Sequence, residues 1–309
     1  MPLETDVNGI ALNRILFATD FSPAATAALS HALVVARHFG STLYVAHIIA
    51  PKEYAAIPRG DRDTALPRIR EYVGEQMTKV RESSLLHTVS HQVLVDEGEV
   101  WPTLSAMIDN YKIELVVIGT QGRRGLEKFV LGSIAEEVLR RANCPVLMVG
   151  PESSANPEAE AHLQRILYAT DFSTESAPAM HYAHWLAKEF KAHLFFLHVT
   201  QDAWQEPLAT RVSADEFCRL RLMEQGWARS IEDVNPEFLL EFGVPAERIV
   251  EQASNLRSEL IVLGVPGTHH PEIVAHLPGP TAYDVVSHAH CPVLAVRGVS
   301  SGAINKASA

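Results

Sequence analysis

The chain has 309 residues, 47% of them hydrophobic and 20% charged, and its 26 basic and 37 acidic side chains leave a formal charge of −11. At roughly 150 residues per domain this length predicts two domains, each able to bury a core. So acidic a surface repels polyphosphate backbones and anionic lipid, which argues against nucleic-acid and membrane partners.

In chain order, continuous apolar runs predict strands buried on both faces at Ile15–Ala18, Leu43–Ile49, His91–Val95, Leu115–Ile118 and Val146–Val149. Helix-period segments lie between them at Pro23–Phe39, Arg62–Leu85, Val100–Asn110 and Ser133–Arg141. Ser22 before Pro23 is a helix start, a capping hydroxyl followed by a proline at the first helical position. No apolar run reaches the ~18 residues that span a bilayer, and the first twenty residues lack a basic-then-apolar leader. Cys144, Cys218 and Cys291 form no CxxC pair. A cytoplasmic protein is expected.

The chain then repeats itself. Arg14–Ile48 and Arg165–Val199 are identical at 14 of 35 positions at one constant offset, both opening on RIL-x-ATDFS. Glu114–Gly119 (ELVVIG) parallels Glu259–Gly264 (ELIVLG), and Asn143–Val149 (NCPVLMV) parallels His290–Val296 (HCPVLAV). A period this long is a duplicated domain, since solenoid repeats are far shorter. Expected boundaries are a first domain over 1–150, a Pro/Ser/Glu/Ala-rich linker over 151–161, a second domain over 162–298 and a polar tail over 299–309. Alternating strands and helices imply a mostly parallel sheet with right-handed crossovers and helices on both faces. In such sheets ligands sit beyond the carboxyl ends of the strands, where strand order reverses. The loops after the first and fourth strands are therefore the places to look.

After the fourth strand comes Gly119-Thr-Gln-Gly122-Arg-Arg-Gly125, and then Gly132-Ser133, a G-x2-G-x9-G-S spacing that ends where a helix begins. Glycines permit close backbone approach. Free N–H groups of Gly132, Ser133 and Ile134 at a helix N-terminus suit phosphate, and Arg123 and Arg124 add positive charge. After the first strand comes Asp20, an acceptor for an adenosine hydroxyl or amine. The spacing is neither a Walker A motif nor the dinucleotide fingerprint.

ATDFS, G-x2-G-x9-G-S and the closing CPVLMV strand resemble the universal stress protein family, here as a tandem two-domain member. The resemblance implies two tandem doubly wound five-stranded parallel-sheet α/β domains, Rossmann-like, with strand order 3-2-1-4-5. It implies ATP binding, with or without Mg²⁺. Ala18, Asp20 and the strand-two end from Ala46 to Ile48 would surround adenosine. Ile118, Gly119 and Gly122 would line the ribose and first phosphates, and Gly132, Ser133 and Ile134 would hold the distal phosphates. It also implies an intrachain pseudo-dimer through the fifth strands, Val146–Val149 and Val293–Val296, and favours a homodimer.

The second repeat departs from this pattern. It keeps Asp171, Gly264 and Gly267, but Pro280 stands where Ser133 stands in the first repeat, and His269 and His270 replace the double arginine. Weak or no ATP binding is expected there. No HExxH motif or Cys/His quartet points to a metal. His47 and His198, at equivalent strand ends, suggest a shared structural hydrogen bond. His31, His38, His181 and His184 read as surface residues, and Trp101 and Trp185 as packing aromatics. The expected function is a nucleotide-regulated stress-response module with little or no catalysis. The competing readings are a slow ATPase or autophosphorylating phosphotransferase, and an interaction protein with a vestigial site.

Overall fold

The structure, a computed structural model, describes residues 10–54, 58, 61–121, 131–151, 153, 162–200, 212–227, 231, 233–266 and 280–297. Two compact units divide the chain: Ala11–Val138 with Val146–Ala161, and His162–Ala309 with Leu139–Pro145 and Met1–Ile10. The N-terminal repeat runs β1 (Arg14–Ala18), α1 (Pro23–Phe39), β2 (Thr42–Ile49), α2 (Pro51–Tyr54), α3 (Arg62–Glu82), β3 (His91–Glu97), α4 (Val100–Asn110), β4 (Leu115–Gly119), α5 (Ser133–Arg141) and β5 (Val146–Val149). The C-terminal repeat runs β6 (Arg165–Thr170), α6 (Ala177–Phe190), β7 (His193–Thr200), α7 (Ala214–Glu224), β8 (Glu237–Phe242), α8 (Pro245–Asn255), β9 (Leu260–Val265), α9 (Pro280–His288) and β10 (Val293–Arg297).

Within the first repeat the strands lie in the order β3-β2-β1-β4-β5, all parallel. Within the second the order is β8-β7-β6-β9-β10, again all parallel. Both are the expected 3-2-1-4-5 arrangement, which reverses direction between its first and fourth strands. Central strands are buried on both faces: Ile15, Leu16, Leu43, Val45, Val116 and Val117 have no exposed surface. β3 corrects the expectation of burial on both faces, because it lies at the sheet edge and Val95 is 46% exposed. An apolar run shows that a strand can be buried; it does not say how many neighbours cover it. The short α2 was not expected, and α3 ends three residues before its predicted limit.

Local sequence sets the helix ends as expected. Ser22 is extended, and its Oγ accepts from the Ala25 N–H at 3.1 Å, with Pro23 next in the first turn. Gly40 closes α1 in the left-handed region, φ 65°, where a side chain is disfavoured. The face that α1 buries is mostly alanine (Ala24, Ala25, Ala28, Ala32 and Ala36), which lets the helix backbone come close to the sheet. At the amino ends of the strands each repeat uses one glutamate as a clamp. Glu114 accepts from the backbone N–H groups of Asn13 and Arg14, and Glu259 from those of Gln164 and Arg165.

Tyr168 in β6 shows how tightly the second core is closed. Its hydroxyl donates to the Ser176 carbonyl oxygen at 3.0 Å, and its ring meets Phe196 edge-on. Burial pushes the phenol up to about 12, against about 10 for a solvated tyrosine. The folded chain therefore keeps this proton longer than the unfolded chain. The resulting stability is complete below about pH 10 and is lost as pH rises to about 12. Tyr168→Phe should cost about 1–2 kcal/mol at neutral pH by leaving the Ser176 carbonyl without this donor. In urea unfolding followed against pH, the variant should also show a shallower loss of stability between about pH 10 and 12. Equal stability at neutral pH would show that the hydroxyl contributes nothing.

Candidate functional site

The site is built where β1 and β4 diverge. Ala18 pairs with Ala46 on one side and Ile118 on the other, so three of the residues singled out in the sequence form one row across neighbouring strand ends. Ala46 and Ile118 are buried and Ala18 is half-buried; Ile48, two residues beyond Ala46 on β2, is also buried. Gly119 follows Ile118, in register with Val149. A Cβ at Gly119 would lie 2.6 Å from the Ala24 carbonyl carbon, so α1 can reach β4 only if this residue has no side chain. Gly264 has the same duty in the second repeat, where a Cβ would lie 2.6 Å from the Ser176 Cα.

The loop after β1 is a tight turn made by its own sequence. Asp20 Oδ1 accepts from the Ser22 N–H at 3.0 Å, and Thr19 Oγ1 accepts from the Phe21 N–H at 3.0 Å. Phe21 is thereby held at φ 60°, a left-handed conformation that a bulky residue rarely adopts. The same letters build the same turn in the second repeat. Asp171 accepts from the Ser173 N–H, Thr170 Oγ1 from the Phe172 N–H, and Phe172 lies at φ 57°. Strain of this kind persists only where surrounding bonds fix it. The His47 ring supplies one such support: it stacks on Phe21 at 4.5 Å while Nδ1 donates to the Thr19 carbonyl oxygen at 2.8 Å. His198 donates to the Thr170 carbonyl oxygen at 2.9 Å. The shared structural hydrogen bond expected of these two histidines is present in both repeats.

The loop after β4 is tied to the loop after β1. Ser22 Oγ donates to the Gln121 carbonyl oxygen at 3.2 Å. Thr120, buried, donates its N–H to Val149 and accepts from the Gly132 N–H at 2.8 Å. This last bond corrects one expectation: the Gly132 amide is already used inside the protein and does not point to an open nest. Sequence spacing could not reveal its partner, which arrives from the far side of the loop. The first intrahelical bond of α5 runs from Glu136 N–H to Gly132. The amides of Ser133, Ile134 and Ala135 therefore have no intrahelical acceptor. Ser133 is exposed and Ile134 half-buried, so the helix start is accessible. Gly122, Arg123 and Arg124 lie outside the described residues, as do Gly267, His269 and His270.

In the C-terminal repeat the equivalent helix α9 begins at Pro280, as the alignment expected. Proline starts a helix well but brings no N–H. The two repeats therefore share a switch point and a first turn but differ in the donors at the second. Sequence reasoning missed Ser22 as the tie between the two loops and Thr120 as the acceptor for Gly132. It also misplaced His184, which is 4% exposed and bonded to Asp233 at 2.6 Å. His31 and His181 are half-buried, and burial holds both rings below the ordinary histidine range. His38 is exposed as expected. Among the described residues no helix is long and apolar enough to cross a membrane.

The family model described as the universal stress protein family matches residues 11–150 and again 162–297. A universal stress protein of Mycolicibacterium smegmatis is 28% identical over 296 residues, covering 92% of this chain and 96% of its own. One from Methanocaldococcus jannaschii is 29% identical over 137 residues, 44% of this chain and 81% of its own. The crystal structure of a universal stress protein from Archaeoglobus fulgidus superposes with a TM-score of 0.67 at 21% identity, covering 93% of this chain and 99% of that one. Two tandem copies of a 3-2-1-4-5 parallel sheet, each carrying the same strained turn after its first strand, and two matched segments that take in nearly all of both repeats, place this chain in the universal stress protein family.

Proposed function

We propose that the N-terminal repeat binds ATP at the divergence of β1 and β4 and acts as a nucleotide-regulated module of the stress response, with little or no catalysis. The observation that carries this is the start of α5. An accessible helix N-terminus with a serine at its first position is anchored through Gly132 and Thr120 directly beside the row Ala18, Ala46 and Ile118. Backbone amides and the helix dipole favour an anion there, while the row of small and apolar residues offers a dry wall for a base and sugar. Adenosine is assigned to Ala18, Asp20, Ala46 and Ile48. The ribose and first phosphates fall to Ile118, Gly119 and Gly122, with charge from Arg123 and Arg124. The distal phosphates fall to Ser133 and Ile134, with Gly132 supplying close backbone approach rather than its amide. Mg²⁺, if it accompanies the nucleotide, would find in Asp20 the one carboxylate of this set.

The absent amide at Pro280 supports one nucleotide per chain rather than two. The fifth strands of the two repeats, β5 and β10, apolar but for Arg297 at the end of β10, are the strands assigned to pairing within a chain or between chains. ATP acts on partners only by favouring the state in which the loop closes on it. Calorimetric titration of the full chain with ATP and Mg²⁺ should give one equivalent, with no phosphate release above background. Two equivalents would remove the asymmetry, and none would remove the function.

A further inference from the structure

Helix α5 begins in one compact unit and ends in the other. Residues 133–138 belong with the rest of the N-terminal repeat, whereas Leu139–Pro145 belong with the C-terminal repeat. Within that second unit one side chain holds the end of the helix. Arg297, the last residue of β10, donates from Nη2 to the Leu139 carbonyl oxygen at 2.6 Å and from Nε to the Ala142 carbonyl oxygen at 2.8 Å. Its Nη1 donates to the carbonyl oxygen of Pro266, the residue that follows β9. The last carbonyls of a helix lack intrahelical donors and carry the negative end of its dipole, so a guanidinium fork suits them.

Arg297 is half-buried, and burial lowers its pKa from the usual arginine range. Among the described residues its partners are all main-chain oxygens. A partly desolvated cation is costly unless its N–H groups are bonded, so the guanidinium is fixed by the same carbonyls that it fixes. The arginine is not part of the duplication. NCPVLMVG at 143–150 aligns with HCPVLAVR at 290–297, so the first repeat has Gly150 where the second has Arg297. The helix that it holds is short and stiff: nine residues, or about 13 Å at 1.5 Å per residue. Turning such a rod by about 10° around its held end moves its start by about 2 Å, more than a hydrogen bond tolerates.

We propose that Arg297 is a positioning residue for the phosphate subsite: by holding the end of α5 it aims the Ser133 and Ile134 amides at the other end. The proposal rests on the assignment of the distal phosphates to the start of α5. On this view the C-terminal repeat takes part in ATP binding through one side chain of its last strand. Adenosine is assigned to strand ends and to Asp20, not to α5, so Arg297 acts on ATP and leaves adenosine alone. By linkage, ATP tightens the Arg297 contacts by the same factor that those contacts tighten ATP.

Arg297→Met keeps an unbranched stem and removes every donor. The full-length wild type and this variant are titrated by calorimetry with ATP and with adenosine, with circular dichroism as the check on folding. ATP affinity should fall about tenfold, the worth of one hydrogen bond to a charged group at the low end of its range. Adenosine affinity should not change. Equal losses for the two ligands would make Arg297 a structural residue only, and unchanged ATP affinity would show that the end of α5 does not aim its start; either result overturns the proposal. Ser133→Pro tells its failure from that of the reading beneath it. ATP affinity lost in Ser133→Pro but kept in Arg297→Met removes the role of Arg297 alone, whereas ATP affinity kept in Ser133→Pro removes the phosphate assignment and this proposal with it. If Arg297→Met does not fold, hydrogen exchange of the wild type decides. Saturating ATP should slow exchange at residues 293–297, and saturating adenosine should leave it unchanged. Exchange there that ATP does not move, or that adenosine slows as much, overturns the proposal.

Discussion

Ser133→Pro should weaken ATP binding by about 100-fold or more and leave the fold intact. The substitution removes one backbone N–H and one hydroxyl from the start of α5, both assigned to the distal phosphates. Hydrogen bonds to charged groups are worth about 1.5–3 kcal/mol each, and two of them together correspond to at least two powers of ten in affinity. Proline is well tolerated here because the Ser133 amide has no intrahelical acceptor to lose. The protein itself supplies the control: α9 begins at Pro280 and runs nine residues to His288. Calorimetric titration and thermal melting on the same preparation check both halves of the expectation. Unchanged affinity would show that the start of α5 does not hold phosphate. Lost affinity with a melting point lowered by many degrees would mean that the helix, rather than the contact, had failed.

What was legible in the sequence was local or repeated. Ser22 and Pro23 name a helix start because capping involves atoms three residues apart, and the hydrogen bond from Ala25 to Ser22 is that contact. A mostly parallel sheet followed from the alternation of strands and helices and the handedness of crossovers, whereas its 3-2-1-4-5 order came with the family resemblance. The recurrence of T-D-F-S was visible, but the turn it builds and its left-handed phenylalanine were not. Contacts between distant parts of the chain were not legible. His184 has the spacing of a surface helix residue, and only Asp233, 49 residues later, explains its burial. Asp233 also accepts from Lys188 at 2.8 Å, and these two partners hold its carboxyl below the usual range. Gly132 sits in a phosphate-type spacing, yet its amide donates to the carbonyl oxygen of Thr120, twelve residues earlier in the chain. Glycine motifs announce where the backbone comes close to something. Whether that something is ligand or protein depends on the fold.

Gly119 sharpens this last point, since it belongs to the glycine motif and also carries a packing duty. A Cβ there would lie 2.6 Å from the Ala24 carbonyl carbon, 2.8 Å from the Ala24 oxygen and 2.8 Å from the Ala25 nitrogen. These are backbone atoms of the first turn of α1, next to alanines that are 1% and 3% exposed, so no side chain can swing aside. Gly119→Ala must push α1 away from β4 or twist the strand end, at a cost of about 3 kcal/mol, the upper part of the range for overpacked cores. For a repeat of this size that is about 10 °C in Tm. Gly74 is the counter-case. It lies inside α3 with open space around its Cα, so Gly74→Ala should stabilise by about 0.5–1 kcal/mol through helix propensity alone. Two glycine-to-alanine changes in one repeat are thus expected to move thermal and urea unfolding in opposite directions. Moving α1 also moves Ser22, whose Oγ ties the turn after β1 to Gln121. ATP affinity should therefore fall in Gly119→Ala and stay unchanged in Gly74→Ala. If Gly119→Ala melts with the wild type but loses ATP, the glycine serves the ligand rather than the packing of α1. If it loses stability and keeps its affinity, the junction of α1 and β4 supports the fold without shaping the site.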